Sequence, residues 1–401
     1  MEPGEPYTRD DFSHSPLLVF YETTRACDLL CRHCRADAQV HRDPTELTTL
    51  QARRLIAELT IFPKPPLLVF TGGDALKRED VFELVGHAAD LGLRTAMTPS
   101  ATPLVTAEAL GRLRSAGLGR LAVSLDGATR RTHDRFRRVS GSFVRTLQII
   151  EDARRCGLPV QVNTTVASHN LGELDAMAQV LAALPGVVMW SVFFLVPTGR
   201  ACGEAAGAGG VRRLTADETE AAFETLWRQS TRQPYAIKTT EAPHYRRFVA
   251  QQLAASQWVR RAGRGTDAGA GTEARSVTEA RPATARRHFV GTNDGKGVMF
   301  VGHTGEIYPS GFLPIRCGRF PFDSVVHVYQ KAALFEALRD PDRLLGKCGA
   351  CEFRNVCGGS RARAFAVNGH PLAEEPDCAY VPRGWTAGDA TGGARERGAP
   401  C

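Results

Sequence analysis

The chain has 401 residues, 43% of them hydrophobic, and a formal charge of +7. That is enough apolar material for one sizeable core plus a smaller unit, while no apolar run approaches the ~20 residues of a membrane-spanning helix. The excess charge does not mark a nucleic-acid surface: seven arginines against three acids in 260–287, and three against two in 383–401, carry +5 of it in segments poor in core-forming residues.

Residues 1–16 read as a polar lead-in without the apolar stretch of a secretory signal, so a cytoplasmic chain with reduced cysteines is expected. From 17 to 200, short apolar runs alternate with helical periodicity. The runs 17–21, 67–70, 93–97, 121–125, 160–166 and 189–195 are continuous rather than alternating, the pattern of parallel strands covered on both faces. The periodic stretches start at Thr48, where Thr48-x-x-Gln51 forms a capping box, and recur near 81–91, 106–116, 142–156 and 171–184. Six β-then-α units with right-handed crossovers predict an α/β fold, a partial (β/α)6 parallel barrel; an open doubly wound sheet is the competing layout. Residues 201–258 read as a helical connecting region, with Thr215-x-x-Glu218 capping one helix. Residues 260–287 hold no aromatic residue and one β-branched aliphatic, Val277, so a disordered insert is expected over 259–288. A small C-terminal cysteine-rich module is expected over 289–382, followed by a flexible tail, 383–401.

Eleven cysteines in a reducing compartment point to metal rather than to disulfides. Cys27-x3-Cys31-x2-Cys34 follows directly on the first strand, at the C-terminal mouth where parallel barrels build their sites. Three thiolates hold three irons of a 4Fe–4S cubane and leave the fourth open to an exogenous chelator. Zinc would need a fourth ligand, for which His33 is at hand but awkwardly placed between Cys31 and Cys34. Cys348, Cys351, Cys357 and Cys378 supply four thiolates, enough to close a second 4Fe–4S cluster or a structural zinc site.

The first motif resembles the signature of the radical S-adenosylmethionine superfamily. Thr71-Gly72-Gly73-Asp74 stands after the second strand where that superfamily has a Gly-Gly-Glu-like motif, with Asp74 in place of Glu. The resemblance implies a backbone that binds the methionyl amino group, and glycines allow such close approach. Ser124-Leu125-Asp126-Gly127 and Gln161-Val162-Asn163 also match, which implies contacts of Ser124 and Asn163 with the ribose and methionyl parts of S-adenosylmethionine. His33 stands where an aromatic residue usually packs on adenine. By the same resemblance, S-adenosylmethionine occupies the open iron and is split to methionine and a 5′-deoxyadenosyl radical, with electrons from a donor such as ferredoxin or flavodoxin.

The C-terminal region is similar to the SPASM/twitch modules of this superfamily, with Gly305–Pro309 resembling their opening hairpin. Ser310 and Arg361 stand where a full SPASM module has cysteines, so one auxiliary iron–sulfur cluster is expected, with Cys317 a spare thiol and Cys156 a small core residue. Cys-Gly-Gly-Ser-Arg-Ala-Arg-Ala at 357–364 and Glu-Pro-Asp-Cys at 375–378 resemble the subgroup that remodels haem-like tetrapyrroles by oxidative decarboxylation or side-chain removal. In the stretch after the sixth strand, Lys238 and Arg246 are candidates to hold substrate carboxylates, and His244 and Tyr245 to move a proton or ligate a porphyrin iron. A peptide maturase is the second reading, weakened by the sixteen residues before the first strand, too few for a peptide-recognition domain. The third is a non-catalytic iron–sulfur redox protein, which leaves the three-cysteine motif and its Gly-Gly-Asp partner unexplained.

Overall fold

The computed structural model describes residues 7–202, 211–262 and 291–386. Its frame is one ten-stranded sheet in the order β10-β9-β8-β1-β2-β3-β4-β5-β6-β7. The six expected strands are β1 (Leu18–Glu22), β2 (Leu67–Thr71), β3 (Arg94–Met97), β4 (Arg120–Ser124), β5 (Val160–Val166) and β6 (Val187–Phe194). A seventh parallel strand, β7 (Ala236–Thr240), pairs with β6 inside the region read from sequence as helical connection. Its Ala-Ile-Lys-Thr-Thr sequence buries one apolar side chain, Ile237, too little to stand out as an apolar run.

Every pairing from β1 to β7 is parallel. The segment 289–382 does not begin a separate sheet. Its β8 (Val298–Val301) pairs parallel with β1, and β9 (Glu306–Tyr308) and β10 (Gly318–Arg319) continue antiparallel from it. β7 and β10 are the two edges, so the barrel is partial.

Alternation along the strands decides between barrel and doubly wound sheet. Val19, Tyr21, Leu68, Phe70, Leu121, Val123, Val160, Val162, Trp190 and Val192 join one core cluster with Leu55, Ile56, Leu84, Leu110, Ile149, Met177 and Phe223 of the intervening helices. The residues between them, such as Phe20, Val69, Ala96 and Ala122, stand outside that cluster and share the opposite face. Helices thus cover one face only, whereas a doubly wound sheet is covered on both. The other face forms the lumen, and it is not wholly apolar: β5 alternates buried Val160, Val162, Thr164 and Val166 with part-buried Gln161, Asn163 and Thr165.

The local signals behave as physics requires. Thr48 caps the helix Thr49–Glu58 through reciprocal bonds with Gln51, and Thr215 caps Ala216–Ser230 the same way with Glu218. Most of the expected disordered insert and the end of the tail lie outside the described residues. Among the described residues no helix is long and apolar enough to cross a membrane.

Candidate functional site

Cys27, Cys31 and Cys34 lie in the loop that leaves β1 at the C-terminal mouth. The loop is pinned at its neck: Cys27 N donates to Gln39 O at 2.7 Å and Gln39 N to Arg25 O at 2.9 Å. It is also pinned to the glycine loop after β2, where Gly73 N donates to Thr24 O at 2.8 Å and Asp74 N to Ala26 O at 2.7 Å. A Cβ on Gly73 would lie 2.5 Å from the Ala26 carbonyl oxygen and 2.6 Å from that of Arg25. The close approach these glycines allow is therefore first of all to the cysteine loop's own backbone. Asp74 is fully buried and accepts from Thr102 Oγ1 at 2.6 Å, Leu76 N at 3.2 Å and Ser100 N at 3.3 Å. It ties the glycine loop to the loop after β3. Ser100 completes the tie: its hydroxyl donates to Gly73 O at 2.7 Å and lies 3.3 Å from Cys27 Sγ.

The three thiols form one small buried group with Leu29 and Ala38. Each has a donor aimed at its sulfur: Leu29 N on Cys27 at 3.4 Å, Arg137 Nη1 on Cys31 at 3.8 Å and Ala38 N on Cys34 at 3.5 Å. Burial pushes the Cys31 thiol up to about 11, partly offset by Arg137. Among the described residues no three His, Cys, Asp or Glu side chains converge as a single metal ion requires. Donors of this kind stabilise thiolate ligands.

Two features of this mouth were not legible in sequence. Arg137 is bound to buried Asp126 at 2.6 Å, linking the end of β4 to Cys31. Burial alone would raise Asp126, but Arg137, with His33 and His133, holds its carboxyl down at about 2. The second feature is a three-ring stack. His33 lies on Phe136 with centroids 4.1 Å apart and planes within 2°, and Phe136 lies on His169 at 4.1 Å. Burial lowers His33 to about 3, so its ring is neutral. Helix Arg130–Arg137 supplies both Phe136 and Arg137, a placement no local motif announces.

In the lumen the register builds a polar row. Ser124 on β4 pairs with Asn163 on β5, Asn163 with Ser191 on β6, and Ser191 with Lys238 on β7. The row unites three residues singled out in sequence with Ser191, which was not. Gln161 Nε2 donates to Asn163 Oδ1 at 2.7 Å, leaving the Asn163 amide nitrogen as its outward donor. Burial, with Arg120 nearby, lowers Lys238 to about 8.

The other substrate candidates are placed differently. Arg246 spends its guanidinium on the carbonyls of Val356 and Thr292. Tyr245 is buried in the core beside Phe223 and Phe248. His244 is fully buried in the wall of a second cavity.

That cavity is lined by all four of Cys348, Cys351, Cys357 and Cys378. Glu375 N reaches Cys348 Sγ at 3.3 Å, Arg361 Nη2 reaches the same sulfur at 3.7 Å, and Gly359 N reaches Cys357 Sγ at 3.3 Å. Gly359 is left-handed, and a Cβ there would lie 2.5 Å from Arg361 Nη2 and 2.7 Å from Glu375 Cβ, so only glycine fits the turn. The walls are held by a buried ion pair, Arg363 with Glu375 at 2.7 Å, joined by Asp377 at 3.1 Å. Ser360 Oγ donates to Glu241 at 2.6 Å and Arg363 Nη2 to Glu241 O at 2.7 Å, clamping the end of β7 to this cavity. Cys317 packs against the main core instead, its thiol 3.5 Å from Ile315 O, and Cys156 likewise packs beside the core.

Residues 21–181 match the model of the radical SAM superfamily. Over 387 residues the chain is 36% identical to the AdoMet-dependent heme synthase of Oleidesulfovibrio alaskensis, spanning 96% of this chain and 92% of that one. It is 37% identical to the protein of the same name from Methanosarcina barkeri, over 92% of this chain and 98% of that one. Among solved structures it is similar to Streptococcus suis SuiB bound to S-adenosylmethionine, with a TM-score of 0.65 at 13% identity, covering 92% of this chain and 78% of the other. That likeness speaks for the fold.

Proposed function

Since the chain belongs to the radical SAM superfamily, whose members carry a 4Fe–4S cluster and use S-adenosylmethionine, we propose that it is a radical enzyme of haem-type tetrapyrrole biosynthesis. The observation that carries the substrate class is the extended identity to proteins named heme synthase, which runs through both cysteine groups rather than stopping at the barrel. Cys27, Cys31 and Cys34 would hold the catalytic cluster, with the fourth iron left to the amino and carboxylate groups of S-adenosylmethionine. When bound, that cluster supplies the electron that splits S-adenosylmethionine into methionine and a 5′-deoxyadenosyl radical.

The chain's own residues orient and shield this chemistry. Gly72, Gly73 and Asp74 keep the cysteine loop in register with β2, and Arg137 places a fixed cation beside Cys31. His33, held in place by stacking on Phe136, is the ring to pack on adenine. Ser124 and Asn163 present polar groups to the ribose and methionyl parts. Lys238, at the far end of the same row, is the group for a substrate carboxylate. The four-cysteine cavity would hold an auxiliary 4Fe–4S cluster. Its N–H donors at Cys348 and Cys357 would support the thiolates of such a cluster. An external one-electron donor of the ferredoxin or flavodoxin kind completes the system.

The test is anaerobic purification, reconstitution with iron and sulfide, and addition of dithionite, S-adenosylmethionine and an iron porphyrin bearing propionates. The expected products are 5′-deoxyadenosine and an altered porphyrin, both absent in the Cys27→Ala, Cys31→Ala, Cys34→Ala triple variant. 5′-Deoxyadenosine without porphyrin turnover moves the assignment towards peptide maturation. Its absence from protein with both clusters assembled favours the redox-protein reading.

A further inference from the structure

His244 is fully buried, yet among the described residues neither ring nitrogen has a hydrogen-bond partner. An unpaired buried donor is costly, and native proteins leave few of them. The surroundings explain neither nitrogen. Phe223 meets the ring edge-on at 4.9 Å and offers no acceptor of ordinary strength. The charged neighbours are engaged elsewhere: Arg363 with Glu375 and Asp377, Arg247 with Glu220 and Gln251, and Arg246 with two backbone carbonyls. What the imidazole does face is the cavity it lines together with Cys348, Cys351, Cys357 and Cys378. Its position there is enforced, because it lies three residues beyond Glu241, which Ser360 and Arg363 clamp to the same wall.

We propose that His244 donates one ring N–H hydrogen bond to a sulfur of the auxiliary cluster and thereby raises that cluster's reduction potential. The inference rests on the reading of these four cysteines as cluster ligands. Reduction adds negative charge to the cluster, so an N–H dipole fixed against a sulfur stabilises the reduced form more than the oxidised one. Gly359 N, Glu375 N and Arg361 act on the thiolates in the same sense. His244 adds a donor from the barrel side, carried by the chain that follows β7. It is a positioning residue for the cluster rather than a catalytic one.

The test uses full-length protein with Cys27, Cys31 and Cys34 changed to Ala, so that only the auxiliary cluster is read. Iron and sulfide content come first: an unchanged content after Cys348, Cys351, Cys357 and Cys378 are also changed to Ala would sink the cluster reading itself, separately from the role of His244. Redox titration followed by electron paramagnetic resonance then compares His244 with His244→Phe, which keeps the ring packing, and His244→Gln, which keeps an N–H. The expected result for His244→Phe is an intact cluster with about a tenfold shift of the redox equilibrium towards the oxidised form, 59 mV for a one-electron couple, most of it restored in His244→Gln. An intact cluster with an unchanged potential in His244→Phe overturns the proposal. If His244→Phe loses the cluster, protein with His244 intact and carrying 15N-histidine decides: hyperfine coupling from an imidazole nitrogen to the reduced cluster supports the bond, and its absence refutes it.

Discussion

Replacing Arg137 by Met isolates the electrostatics beside Cys31. Asp126 is fully buried and its partners are Arg137 at 2.6 Å and Thr165 N at 2.7 Å. Breaking a buried pair from one side costs about 3–5 kcal/mol, because the remaining charge is left uncompensated, and that is a large part of the ~5–15 kcal/mol that stabilises a typical domain. The sign of the pH dependence should reverse as well. In the parent protein the Asp126 carboxyl sits at about 2, below its ordinary value, so its contribution is present above the ordinary carboxylate range and is lost as pH falls through about 4 to 2. Without Arg137 burial dominates and raises the carboxyl, so the folded variant gains stability on acidification from neutral pH, as Asp126 takes up a proton. Urea unfolding followed by circular dichroism from neutral pH down through the carboxylate range reads both effects. The Asp126→Asn, Arg137→Met double variant should recover most of the loss and show no such slope. A loss below about 1 kcal/mol in Arg137→Met, or a slope that persists in the double variant, refutes the assignment.

Gly73→Ala must displace backbone, since the new Cβ would meet two carbonyl oxygens; at a cost of about 1–3 kcal/mol, the variant should lose catalytic-cluster iron while keeping auxiliary iron, measured by iron analysis and Mössbauer spectroscopy. Lys238→Met should raise KM for a propionate-bearing porphyrin about tenfold or more with kcat little changed, the loss of a charged hydrogen bond worth about 1.5–3 kcal/mol. Lys238 is protonated below about 8, so the parent KM should rise as pH climbs through that value, and the Lys238→Met profile should be flat there. Glu375→Gln removes one of the two carboxylates paired with buried Arg363 and leaves Asp377; iron content should fall towards that of the variant lacking all four auxiliary cysteines, with the catalytic signal kept.

Local sequence determined much of this protein. Six of the seven strands β1–β7 announced themselves as apolar runs, two helices by their Thr caps, and both cysteine groups by spacing, because each signal needs only neighbours along the chain. Ser124, Asn163 and Lys238 were visible as polar residues near strand ends, but their alignment with Ser191 in one row is a matter of register between strands, set by which side chains reach the common core. β7 escaped notice because a single buried isoleucine carries it. The Asp126–Arg137–Cys31 chain, the His33–Phe136–His169 stack and the transfer of His244 from the barrel mouth to the auxiliary cavity were decided by tertiary structure alone. Each joins residues far apart in sequence, and for buried Asp126 what offsets desolvation is Arg137, a partner that only folding brings within reach.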